Sequence, residues 1–224
     1  MLVSHGSRRP EAAGIAGDVA AALEERLGLP VRCAYADVHG PTVGDVLRAL
    51  PAASPAVVVP AFLAHGYHVR TDVPRQVAAS GRDRVTVAAA LGPDPALVPA
   101  LLDRLAAAGH RRGDAVVLAA AGSSDPAARA ECGRMAAALS ARLGTEVRLG
   151  WAATAVPTVA EAVAGCRGRA GRRVAVATWL LAPGLFAERV RDCGAESVAA
   201  VLGAHPAVIG VLAARVAAAA PLTV

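Results

Sequence analysis

The sequence predicts an α/β fold built as two tandem halves, each a mostly parallel sheet with helices on both faces. Three observations predict it. Valine- and alanine-rich runs of strand length alternate with longer runs of helical periodicity. Glycine and proline punctuate the changes between them. One set of motifs also occurs twice, in the same order, along the chain.

The elements follow in turn. A short apolar strand ends at Ser4, and a helix follows Pro10 with Ile15, Val19, Leu23 and Leu27 recurring every fourth residue on one face. Gly28 and Pro30 stop that helix. Residues 31–36 read as a strand, and Pro41 sits where the first turn of the next helix is expected. Residues 56–59 form a buried-type strand, and a glycine-bearing loop leads to a helix around residues 74–79. A strand over 85–90 and a long helix from Pro95 complete the half. The same order begins again at Ala115. The boundary is expected near Gly109 to Gly113, giving halves of 1–112 and 113–224.

The repeat is explicit in the residues. SHGSRRP at Ser4 to Pro10 lies over AAGSSDP at Ala120 to Pro126, so that Gly6 meets Gly122 and Pro10 meets Pro126. At the same separation Leu27-Gly28 meets Leu143-Gly144, and Pro41-Thr42-Val43 meets Pro157-Thr158-Val159. After a small slip Leu63-Ala64-His65-Gly66 lies over Leu181-Ala182-Pro183-Gly184, and Leu91-Gly92 over Leu202-Gly203. Blocks in a single order are hard to attribute to an alanine-rich composition.

Bulk properties exclude several classes. The apolar fraction is 55% with only 3% aromatics, but no run approaches the ~18 apolar residues of a membrane span. Residues 174–187 come nearest and contain Pro183 and Gly184. The opening MLVSHGS lacks the basic and apolar regions of a secretory leader. Cys33, Cys132, Cys166 and Cys193 form no CxxC pair, which points to a reducing cytoplasm rather than a disulfide framework. The net charge of +5 comes from arginine without an aromatic-interleaved basic stripe, so nucleic acid is not the expected partner.

In parallel sheets ligands bind beyond the carboxyl ends of the strands. There the first half places His5, then Asp37 and His39, then His65 and His68. The second half has Ala121 for His5, Ala153 for Asp37 and Phe186 for His68. Scaffold glycines and prolines persist in both copies, while the ionisable groups do not. Two imidazoles and a carboxylate without thiolate suit a divalent ion such as iron, cobalt, nickel or zinc, held loosely enough to be released. Imidazole also accepts a proton near neutral pH. His39 and His65 read as rim residues, and His110 and His205 as structural ones.

LVSHGSRRP at residues 2–10, AYADVHGPTV at 34–43 and VVVPAFLAHGYHVRTDVP at 57–74 closely resemble the sirohydrochlorin chelatase family, in its long two-half form. The resemblance implies two chelatase-like, Rossmann-like halves that insert a divalent metal, Co2+, Fe2+ or Ni2+, into sirohydrochlorin without ATP. No permanent cofactor is implied; the metal and the tetrapyrrole are substrates. The family's metal-site histidines fall on His5 and His68, the first also being the proton acceptor. A family glutamate falls at Asp37, one methylene shorter. The tetrapyrrole-contacting loop falls on Leu63, Ala64, His65, Gly66 and Tyr67. By charge, Arg8, Arg9, Arg70 and Arg75 are expected to meet the carboxylates of the macrocycle. One polypeptide is expected to act as a monomeric internal pseudo-dimer. The rival readings are a non-catalytic tetrapyrrole or metal carrier and a histidine-nucleophile phosphatase. The latter is disfavoured because Ser4, not arginine, precedes His5.

Overall fold

The computed structural model describes residues 1–6, 10–37, 40–168 and 171–220. Arg8, Arg9 and His39 lie outside them. Two compact units form: Met1–Gly92 with Val208–Val224, and Pro93–Ala207.

The first unit contains β1 (Leu2–Ser4), α1 (Pro10–Leu27), β2 (Cys33–Tyr35), α2 (Val43–Arg48), β3 (Ala56–Pro60), α3 (Val73–Ala79) and β4 (Val85–Val87). Its four strands are parallel in the order β2-β1-β3-β4. The core on one side joins Val3, Ala34 and Val58 of the strands to Val43, Val46 and Leu47 of α2 and Val73 of α3.

The second unit begins with α4 (Val98–Ala107), entered through a 3-10 turn at Pro95–Leu97. Then come β5 (Ala115–Ala120), α5 (Pro126–Leu143), β6 (Val147–Trp151), α6 (Val159–Arg167), β7 (Val174–Trp179), α7 (Leu185–Arg191) and β8 (Ser197–Val198). The order β6-β5-β7-β8 copies the first sheet, again all parallel. β5 and β7 are buried along their whole length, as strands covered on both faces must be. Alternation assigns the faces. Ala115, Val117 and Ala119 of β5 and Val174 and Val176 of β7 pack with α6 and α7, while α4 and α5 lie against β7 and β6. The last helix, α8 (Pro206–Ala219), groups with the first unit from Val208 onward, where Arg215 donates to the Ala90 carbonyl at 3.1 Å. Each compact unit thus takes in a helix from the other repeat. Among the described residues no helix is long and apolar enough to cross a membrane.

Local departures from the sequence reading have simple causes. In α1 the buried line is Ala12, Ala16, Val19, Ala20 and Leu23, with Ile15 and Leu27 only half-buried. Steps of four residues drift about 40° each, so the ends of that series leave the face its middle occupies. Pro41 is not in the first turn of α2. Thr42 is the N-cap, closed by a reciprocal capping box with Asp45, and Thr158 with Glu161 repeats it before α6. The strand expected over 31–36 narrows to Cys33–Tyr35, paired with Leu2 to Ser4, and that over 85–90 to Val85–Val87, paired with Ala56 to Val58. The helix expected from residue 74 begins one residue earlier and is preceded by a π-helical turn at His68–Asp72.

The loop after the first strand of each repeat is shaped by one glycine. Gly6 has φ +95° and Gly122 φ +100°. A Cβ on Gly6 would overlap the Asp37 carbonyl, and one on Gly122 the Ala153 carbonyl. Gly122→Ala is therefore expected to destabilise by more than about 1 kcal/mol, through left-handed strain plus the clash. Gly133→Ala, in mid-α5 with nothing within 4 Å of the added carbon, should leave stability unchanged or raise it. Thermal midpoints of the two variants check the contrast.

The capping boxes carry a pH dependence. Hydrogen bonds from the Thr42 hydroxyl and amide hold the Asp45 carboxyl below its ordinary range, and those from the Thr158 amide and hydroxyl do the same for Glu161. Their contribution is present above the unfolded-state carboxylate range and is lost as pH falls through the lowered folded values. Glu161→Gln should accordingly flatten part of the acid limb of thermal midpoint against pH.

Candidate functional site

In the first sheet β1 lies between β2 and β3, so the chain leaves β1 toward one side and later returns on the other. Such a reversal opens a crevice at the carboxyl ends of the two central strands. The β1–β3 ladder carries Leu2 opposite Val59 and Val3 opposite Pro60, and the Ala61 amide donates to the Val3 carbonyl at 2.8 Å. This register sets His5, just past β1, beside the segment that runs on from β3.

That segment supplies Phe62 and His68. The His5 and His68 rings meet edge to face, with centroids 4.6 Å apart and planes at 81°. Phe62 backs both, 6.3 Å from His5 and 6.1 Å from His68, the latter stacked at 25°. Tyr67, 61% exposed, stands edge-on to His68 at 6.0 Å. Aromatic rings thus lie near both imidazoles, and His5 remains exposed to solvent. His5 Nδ1 lies 3.3 Å from the Gly6 carbonyl oxygen. With Nδ1–H donating there, Nε2 keeps its lone pair.

His68 begins the π-helical turn, and its Nδ1 lies 2.6 Å from Oδ2 of Asp72, four residues on. Asp72 is buried, and its other oxygen lies 3.4 Å from an Nη of Arg75. The sequence reading missed Asp72. Its signal was the His-x-x-x-Asp spacing, legible only once a helical turn is known to start at His68. At the offset that lays His68 over Phe186, Asp72 falls on the buried Val190.

The other expected residues are placed as follows. Asp37 is exposed just after β2, and its amide donates to the His5 carbonyl at 3.0 Å. Gln76 of α3 steadies that loop, donating to the Ala36 carbonyl and accepting from the Val43 amide, both at 3.1 Å. Leu63, Ala64, His65 and Gly66 are half-buried in the loop from β3, and Arg70 and Arg75 are exposed around the turn. Arg8 and His39 fall outside the described residues. Among the described residues no three or more His, Cys, Asp or Glu side chains group as a metal cage. The fold assembles a pair of imidazoles in ring contact, one of them exposed.

A model of one family, CbiX, matches residues 1–108 and again 115–219. The chain belongs to the CbiX family. Within the curated proteins, it is 30% identical over 76 residues to the sirohydrochlorin cobaltochelatase of Methanothermobacter thermautotrophicus, covering 33% of this chain and 53% of that one. The chain spans about half the length of the curated relatives it matches. Among solved structures, SirB from Bacillus subtilis with Fe3+ superposes with a TM-score of 0.83 at 24% identity, over 98% of this chain and 94% of that one. The sirohydrochlorin chelatase SirB from Bacillus subtilis subspecies spizizenii, in complex with cobalt, gives 0.79 at 22%, over 98% and 93%. At these identities the shared CbiX-like fold is what the superpositions establish.

The thiols stand apart from this chemistry. All four cysteines are free, and burial pushes each upward, Cys132 to about 11. At pH 8 about a thousandth of Cys132 would be thiolate, the reactive form. In native protein at pH 8 an aromatic disulfide reagent should leave Cys132 unmodified until the fold is opened with denaturant, as peptide mapping would show.

Proposed function

We propose that this CbiX-family chain is a sirohydrochlorin chelatase, inserting a divalent metal into the tetrapyrrole without ATP. The observation that carries the reading is the edge-to-face pair His5–His68 at the crevice between β1 and β3. The cobaltochelatase relatives and the family's double match support it.

Insertion exchanges two pyrrole N–H protons for one M2+ ion, which must shed its water. A neutral His5 with a free Nε2 accepts one proton and passes it to water before taking the second, while His68 holds the ion on the same side of the ring. Asp37, joined to His5 through the backbone, guides or orients rather than closing a cage. Leu63 to Tyr67 meets the macrocycle, and Arg8, Arg70 and Arg75 take its carboxylates by charge-assisted hydrogen bonds. The chemistry belongs to the half at 1–112, and the half at 113–224 supplies scaffold. Co2+ and Fe2+ are the metal substrates, with Ni2+ as a further one of the same ligand class. No resident cofactor is needed. The chain works as a monomeric internal pseudo-dimer in the cytoplasm, the compartment that suits four free thiols.

The test is steady-state insertion of Co2+, Fe2+ and Ni2+ into sirohydrochlorin, with metal and substrate in excess. Turnover is expected, whereas a carrier would stop at one equivalent. His5→Ala should lose at least ~100-fold of the rate. His68→Ala should raise the metal concentration needed, and changes at Phe186 should act through packing alone. Near-normal rates in both histidine variants would refute the assignment.

A further inference from the structure

We infer that Asp72 is a positioning residue for metal capture: it holds His68 with the proton on Nδ1, so that the Nε2 lone pair is presented to the incoming ion. The inference rests on the function proposed above and adds a residue to its machinery.

The geometry carries it. Oδ2 of Asp72 lies 2.6 Å from His68 Nδ1, and the carboxylate side chain is only 12% exposed against 26% for the imidazole. A carboxylate is an acceptor only, so the nitrogen that faces it must carry the hydrogen. A ring with hydrogen on Nδ1 has its lone pair on Nε2. A histidine that ligates metal through one nitrogen and donates from the other to a carboxylate is better oriented and more basic.

The surroundings fix the pair rather than merely permit it. Both residues lie in one five-residue π-helical turn, His68–Asp72, whose backbone spaces them on the same side. Phe62 stacks on His68 and limits rotation of the ring. Arg75 approaches the second oxygen of Asp72 at 3.4 Å, giving the buried carboxylate a second partner. A buried carboxylate is costly without partners, and a merely structural position would take an apolar residue. The second repeat does so: Val190 stands where Asp72 would fall, in the copy that has Phe186 in place of His68. Imidazole and carboxylate are present together or absent together.

The experiment uses the whole chain. With no metal added, long-range proton–nitrogen NMR of ring-labelled histidine is expected to find His68 as the Nδ1–H tautomer. A predominantly Nε2–H ring in the parent protein overturns the inference without any variant. Titration with Co2+ alone, without tetrapyrrole, should show Asp72→Val binding 10–100-fold more weakly, with the Nδ1–H population reduced. Asp72→Asn, whose amide oxygen can still accept from Nδ1, should fall between the two. In the insertion assay the KM for Co2+ should rise while kcat at saturating metal stays near that of the parent. If His68→Ala binds Co2+ as tightly as the parent, the proposed function and this inference fall together. If His68→Ala is impaired while Asp72→Val is not, the inference alone falls.

Discussion

The parallel pairing of β1 with β3 is the constraint from which the rest of the site follows. It is a short ladder, Leu2 opposite Val59 and Val3 opposite Pro60, continued by the bond from Ala61 to Val3. Because β2 lies on the other side of β1, the two central strands send their chains apart as they end. In parallel sheets such a divergence is where ligands are received. The left-handed Gly6 then lets the first loop press against Asp37 without a side chain in the way. One residue past β1 is enough to bring His5 near Phe62, and the loop that runs on from β3 brings His68.

The same strand order occurs twice, and the described groups His5, His68 and Asp72 have counterparts without ionisable side chains in the second copy. In the second sheet the ladder between β5 and β7 is longer and fully buried, and Gly122 makes the same close approach to Ala153. Ala121, Phe186 and Val190 stand where the first copy has His5, His68 and Asp72. The comparison separates what both copies keep from what one copy has alone. Glycines and the capping threonines Thr42 and Thr158 belong to the first category, since both copies keep them. Imidazoles and the buried carboxylate belong to the second.

Much of this was legible before any coordinates. Strand–helix alternation gave the parallel sheets, and the loss of His5 and His68 from the second copy singled out the residues that the fold brings within ring contact. Asp72 was hidden because a π-helical turn leaves no periodicity in five residues, and the helix was expected to begin only at residue 74. Pro41 misled for a related reason: proline marks the neighbourhood of a helix start, but the Thr42–Asp45 box, visible as T-x-x-D, marks the start itself. The helix exchange left no trace either. Self-similarity tells where a motif recurs and says nothing of which sheet a following helix covers.

That exchange has a consequence for how the molecule comes into being. The unit Pro93–Ala207 is one continuous stretch, able to consolidate as soon as it leaves the ribosome. The unit bearing both imidazoles is discontinuous, joining residues 1–92 to α8 from Val208 onward. Its segments are separated in the chain by the whole of the other unit, so the bond from Arg215 to the Ala90 carbonyl forms only after that unit has been made. Vectorial translation therefore completes the set of elements around His5 and His68 after the other unit, and a chain cut short before α8 still carries every element of Pro93–Ala207.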